Sequence, residues 1–122
     1  MAAAASININ GTITGTPTGA RTIGPIVLSS AAANGQTTQV VLQSGANTIT
    51  VPTTPAPSGC VITLPSGNTA LTTLKGVTGD TGVSIGKTGS VVLSWDSANA
   101  PASFCLTSAS TQTGLITEIQ FY

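Results

Sequence analysis

The chain is predicted to be all-β, an antiparallel β-sandwich or jelly roll of about eight to ten short strands. Three observations predict it. Short runs of Val, Ile, Leu and Thr show strand-like alternation. Turn-forming Gly, Pro, Asn and Ser clusters separate those runs at short intervals. No stretch carries the period of an amphipathic helix.

The strands are placed in chain order as follows. Ile7, Ile9 and Ile13 alternate with Asn8, Asn10 and Thr12, with Gly11 in the apolar register. Ile23 and then Ile26-Val27-Leu28 make a second run, which Pro25 interrupts; a proline there denies a ladder donor and suggests an edge strand or a bend. Val40 and Leu42 lie among Gln39, Val41 and Gln43, and Ile49 and Val51 alternate with Thr48 and Thr50. The segment Pro52-Thr53-Thr54-Pro55-Ala56-Pro57-Ser58-Gly59 is a connector, because its prolines favour extended geometry and cannot donate to a ladder. Strands resume at 60–64, followed by the turn Pro65-Ser66-Gly67-Asn68, and again at 71–74. A glycine-rich stretch at 76–82 precedes a short strand through Val83 and Ile85, and Gly86-Lys87-Thr88-Gly89 reads as a hairpin turn. Val91, Leu93 and Trp95 share one face of the next strand. After a turn at 97–101 come a strand at 103–107 and a last strand at 115–122, where Leu115, Thr117, Ile119 and Phe121 face one way and Glu118 and Gln120 the other. Residues 1–18 are set apart as an N-terminal strand or assembly arm, able to add to a neighbouring subunit's sheet by edge pairing. Residues 19–122 form a single β-sandwich domain.

Composition bounds the function. Of 122 residues only six are charged, namely Arg21, Lys75, Asp80, Lys87, Asp96 and Glu118, and none is histidine. The formal net charge is zero, a state that favours association. Three scattered cations cannot neutralise a phosphate backbone, so nucleic acid is not an expected partner. No apolar run approaches the roughly 18 residues needed to span a membrane as a helix. Met1-Ala2-Ala3-Ala4-Ala5-Ser6 lacks the cationic and long apolar parts of a secretory signal. A few large side chains among many Val, Ile, Leu and Ala imply a narrow core between two thin sheets.

The candidate chemical residues give no site. Gly86-Lys87-Thr88 has Thr81 where a phosphate-binding loop needs glycine, and a strand-to-helix context is missing. Asp80 is a conceivable calcium ligand, but calcium takes about six to eight oxygens and usually several carboxylates; a bond to the backbone of its own turn is the simpler role. Asp80, Asp96 and Glu118 are the only carboxylates available for a paired-acid glycosidase, and Glu118 occupies an outward slot. No catalytic, cofactor-binding or metal-binding residue is therefore expected, and no enzyme. Trp95 is read as a core anchor because it shares a face with Val91 and Leu93, with sugar stacking as the alternative. Cys60 shares a face with Ile62 and Leu64, whereas Cys105 lies opposite Phe104 and Leu106. One thiol is thus expected in the core and the other outside, with no disulfide.

The segment Leu74-Lys75-Gly76-Val77-Thr78-Gly79-Asp80-Thr81-Gly82-Val83 resembles stretches in small accessory structural proteins of tailed bacteriophages. Much of 60–122 is similar in style, with its Pro-Ser-Gly-Asn turn, its Gly-Asp-Thr-Gly turn and a final strand ending in aromatics. The resemblance implies an all-β virion protein, tail-associated or capsid-decorating, assembled in the host cytoplasm as a symmetric homo-oligomer bound to other virion proteins. A carbohydrate-binding or adhesive β-sandwich module, with a host-surface glycan as partner, is the competing expectation. Only Arg21 carries charge before residue 75, so the first 74 residues are the expected contact with the rest of a particle.

Overall fold

Alternating apolar residues need a second layer to bury them, and residues 37–122 supply it by folding two sheets face to face. The computed structural model describes residues 3–15 and 17–122; Met1, Ala2 and Thr16, which belong to the expected arm, lie outside the described residues. Ten strands are present: β1 (Ala3–Ile13), β2 (Arg21–Ala33), β3 (Thr37–Val40), β4 (Gly45–Thr50), β5 (Gly59–Thr63), β6 (Thr72–Lys75), β7 (Val83–Gly86), β8 (Ser90–Ser94), β9 (Ser103–Ser108) and β10 (Thr117–Phe121). Among the described residues these ten strands are accompanied by a single 3-10 turn, Ser97–Asn99.

One sheet has the order β3-β10-β5-β8 and the other β4-β9-β6-β7, with every pair antiparallel. The pairings are nested. β3 pairs with β10, β4 with β9, β5 with β8 and β6 with β7, the last two closing a hairpin. β5–β8 lies in one sheet and β4–β9 and β6–β7 in the other. Eight strands paired outermost to innermost and rolled into two sheets form a jelly roll. Each connection other than β6–β7 crosses from one sheet to the other.

The core lies between the sheets. Cys60, Ile62, Ile119 and Phe121 come from the central strands β5 and β10, and Ile49, Phe104 and Leu106 from β4 and β9. Leu42 and Val51 enter from loops. Toward β6, β7 and β8 the packing is shallower, and Leu74, Ile85, Val91, Leu93 and Trp95 are only partly buried. Alternation explains β10, where Thr117, Ile119 and Phe121 are buried and Glu118 and Gln120 exposed.

Turns are tied by uncharged side chains. Asn68 closes the turn after β5 through its amide, accepted by Pro65 O at 3.1 Å. Its side chain donates to Ala70 O at 2.8 Å and to Lys87 O at 2.6 Å, joining the β5–β6 and β7–β8 connections. Gln112 is buried and donates to Thr72 Oγ1 at 3.2 Å and Ser108 Oγ at 3.0 Å, so one amide ties β6, β9 and the β9–β10 loop.

β1 and β2 stand apart. They form their own two-stranded antiparallel sheet and join neither layer of the sandwich. The expected division after residue 18 falls in the loop between these strands, so the arm is a hairpin from Ala3 to Ala33 rather than a single strand. β2 belongs to it because each residue of β1 in the ladder finds its partner there. The Pro25 signal corresponds to a register shift between the Ile9/Ile26 and Gly11/Ile23 pairs, with Gly24 at φ +76°. The base of the hairpin is pinned to the sandwich. Asn34 Nδ2 donates to Pro55 O at 2.8 Å, Gly35 N to Phe121 O at 3.0 Å and Phe121 N to Gln36 O at 2.9 Å.

Candidate functional site

The carboxylates singled out in the sequence lie on separate elements. Asp80 sits in the β6–β7 loop, where its Oδ2 accepts from Val77 N at 2.9 Å and its own amide donates to Val77 O at 3.1 Å. A Cβ on Gly76 would come within 2.9 Å of that carboxylate, and one on Gly82, at φ +74°, within 2.6 Å of Lys75 Cγ. The Gly-Asp-Thr-Gly motif is thus a loop-building device: glycine lets the chain close on itself and Asp80 pins the turn. Asp96 caps the 3-10 turn, accepting from Ala98 N at 3.2 Å and Asn99 Nδ2 at 2.7 Å. Glu118 points outward from β10 and accepts from Gln39 Nε2 at 2.9 Å on the neighbouring strand. Lys87 is exposed in a β7–β8 turn. Among the described residues no three acidic or thiol groups gather where a metal ion would be held.

The thiols depart from expectation. Cys60 is fully buried in the core, as its strand alternation implies, and burial pushes its pKa up to about 12. Cys105 lies on the opposite face of β9 from Phe104 and Leu106 and was expected outside; it is 3% exposed. The cause is a loop that folds back over the sheet. Gly76, Val77 and Thr78 close over a small cavity of about 120 Å³ beside Cys105, with Thr48 completing the wall. Both cysteines are free.

Trp95 is half-buried. Its indole packs against the core, and Nε1 donates to Pro57 O at 2.7 Å, which fixes the ring. It also lines an open cleft of about 550 Å³ at the shallow end of the sandwich. Leu74, Val83, Leu93 and Phe104 supply apolar wall, and Lys75, Asp80 and Ser103 supply polar groups. A cleft of this size with apolar walls and a few polar groups suits a small ligand or one side chain of a partner. Tyr122 offers no such surface. It is buried, its hydroxyl donates to Leu93 O at 2.9 Å, and desolvation raises its pKa.

The second feature is the hairpin arm. Residues opposite one another in a ladder share a face. Ile7 faces Leu28, Ile9 faces Ile26, Gly11 faces Ile23 and Ile13 faces Arg21. Six aliphatic side chains therefore line one face of a ribbon that pairs with neither sheet, and Ile7, Ile9 and Leu28 among them are half-buried. Ser6/Ser29, Asn8/Val27 and Thr12/Thr22 take the other face. Ile13, Ile23 and Ile26 remain 42–48% exposed. Alternation put Ile7, Ile9 and Ile13 on one face in the sequence; the sheet arrangement shows that this face belongs to a hairpin paired with neither layer of the sandwich. Comparison with protein-family models, curated proteins and solved structures finds no match to this chain.

Proposed function

We propose that this chain is a non-enzymatic structural subunit of a tailed-bacteriophage particle. It associates with copies of itself and attaches to the particle surface, on the tail or tail tip in preference to the capsid. One observation carries the proposal: an almost uncharged two-stranded arm with an exposed apolar face projects from a jelly roll whose own core is already closed. Contiguous exposed apolar surface of this kind belongs to interaction sites. The chain's zero net charge favours association in the same sense. Jelly rolls serve both viral coats and lectins, so the fold supports the reading only by analogy.

The test is the presence of the chain in purified particles, by mass spectrometry, with antibody labelling to locate it. Stoichiometric recovery with label at the tail supports the proposal. Label on the head moves the subunit to capsid decoration. Absence from particles, with the purified chain monomeric, overturns it.

The cleft beside Trp95 favours a second reading, a carbohydrate-binding module. An aromatic ring held beside Lys75, Asp80 and Ser103 offers stacking and hydrogen bonds to a sugar. Glycan-array binding that is lost in Trp95→Ala, with the fold retained, supports this reading; an array with no binder removes it.

A further inference from the structure

We propose that the cleft beside Trp95 binds a small apolar molecule with a single carboxylate head, its body against the walls of the cleft and its head on Lys75. The proposal goes beyond the structural-subunit reading and stands independently of it. It competes with the sugar reading of the same cleft.

The walls select the body. Leu74, Val83 and Phe104 reach the cleft from one sheet and Leu93 from the other, with Trp95 just past the end of β8. Leu74, Leu93 and Trp95 also pack against the core, so the cleft continues the apolar interior outward. At about 550 Å³ it lies within the range of small-molecule sites. Trp95 Nε1 is already spent on Pro57 O at 2.7 Å, and an indole has no other donor. The ring therefore offers the cleft apolar surface only. A sugar would press hydroxyls against walls that cannot hydrogen-bond them, and each hydroxyl stripped of water without a new partner costs affinity. An alkyl chain or a bare ring carries no such cost and gains by leaving water.

Charge selects the head. The Lys75 ammonium has no ion pair or hydrogen bond among the described residues. Its stem lies over Gly82, where a Cβ would come within 2.6 Å of Lys75 Cγ, and both residues line the cleft. Asp80 is the other charged residue of the lining, and its Oδ2 is engaged with Val77 N at 2.9 Å. Lys75 is thus a cation without a counter-ion beside an apolar cleft. Asp80 repels an anion in proportion to its charge, which favours a carboxylate over a doubly charged phosphate. The groove beside the opposite sheet edges, β3 and β4, shows the contrast. It holds about 420 Å³, but Gln36, Thr38, Gln39, Thr48 and Thr50 make it polar, and no charged residue lines it.

The chain has one tryptophan, so fluorescence of Trp95 reads the cleft directly. The purified full chain is titrated with octanoate, 1-octanol, octylammonium and glucuronate. Octanoate is expected to shift the emission saturably, with an affinity about tenfold above that of 1-octanol. Octylammonium and glucuronate are expected to leave the emission unmoved. Lys75→Met should weaken octanoate about tenfold, to the level of 1-octanol, with an unchanged circular dichroism spectrum and unchanged binding of 1-octanol. Lys87→Met removes the same charge from an exposed turn outside the cleft and should change neither affinity. No saturable shift with octanoate, equal affinities for the octyl compounds, equal losses in Lys75→Met and Lys87→Met, or a shift with glucuronate in place of octanoate overturns the proposal. Recovery of the chain from particles is scored separately, so failure of the cleft ligand and failure of the virion reading are told apart.

Discussion

The arm and the sandwich are written in the same residue alphabet and come to opposite ends. In β10, Ile119 and Phe121 alternate with Glu118 and Gln120 and are 0% and 2% exposed. In β1, isoleucines alternate with asparagine and threonine in the same rhythm, and a register shift at Gly24-Pro25 brings Ile23 and Ile26 of β2 onto the same face, yet Ile13, Ile23 and Ile26 stay nearly half exposed. The difference is a second layer. Alternation sorts side chains onto faces, and whether a face becomes core depends on what is folded against it. A protein with both outcomes in one chain has one apolar face covered by folding and another left partly exposed.

The sharpest break between the regions comes from truncating matched apolar residues. Phe121→Ala is expected to cost about 3–5 kcal/mol of unfolding free energy, read by denaturant titration at a low protein concentration. Ile9→Ala in the arm should cost under about 1 kcal/mol, because its side chain is only half-buried. Comparable losses at both sites would mean that the arm is covered within the single chain.

Removing a buried polar tie is expected to act next most strongly. Gln112→Ala takes the donor away from Thr72 and Ser108 in the interior, at a cost of about 1–3 kcal/mol. Asn8 of the arm is exposed, so Asn8→Ala should leave the unfolding midpoint unmoved.

Titration separates the regions in another way. Cys60 holds its proton to about pH 12 in the fold, against an ordinary value of 9.0. Between those values the unfolded chain ionises and the folded chain does not, so the unfolded state binds fewer protons. Stability is therefore constant below pH 9 as far as this group is concerned and falls above it, by up to about 1.4 kcal/mol per pH unit. Tyr122, whose pKa is also raised by burial, adds to the same fall. Cys60→Ala should flatten part of the slope in alkaline denaturation curves; an unchanged slope would assign it to Tyr122 alone.

The smallest effect is expected at a cap. Asp96→Ala removes the acceptor for Ala98 N and Asn99 Nδ2 and should cost about 1 kcal/mol, with Asp96→Asn restoring most of it. Thermal unfolding of the three chains resolves the difference.

Much of the fold was legible residue by residue. The Pro-Ser-Gly-Asn turn and the inward register of Ile119 and Phe121 follow from local stereochemistry and period-2 alternation, and the structure places them as expected. Gly86–Gly89 is a turn but not the expected hairpin: β7 and β8 lie in different sheets, and the hairpin is β6–β7, because turn residues mark a reversal without saying which strand the next one pairs with. Asp80 as a turn residue was legible for the same reason. Leu42 was placed in a strand and instead lies in a loop, fully buried, because a connection crossing between sheets passes through the core. Cys105 was misplaced because the loop that covers it follows β6, about thirty residues away in sequence, and alternation along β9 carries no record of it. Gln112 escaped notice altogether. An uncharged glutamine in a turn gives no signal of burial, and its role exists only where Thr72 and Ser108 meet it.

By itself, then, the sequence determined an all-β chain, the positions of its strands and turns, the residues that share each face and the near absence of charge, since all of these depend on neighbours one to four positions apart. Only the tertiary structure decided the nested pairing of β3 through β10, the extent of the arm and the cleft beside Trp95. Those features depend on which distant strands close against one another, and strands of nearly identical composition carry little local information to distinguish their partners. The isoleucines of the arm show the division most clearly: their alternation is sequence, and their exposure is topology.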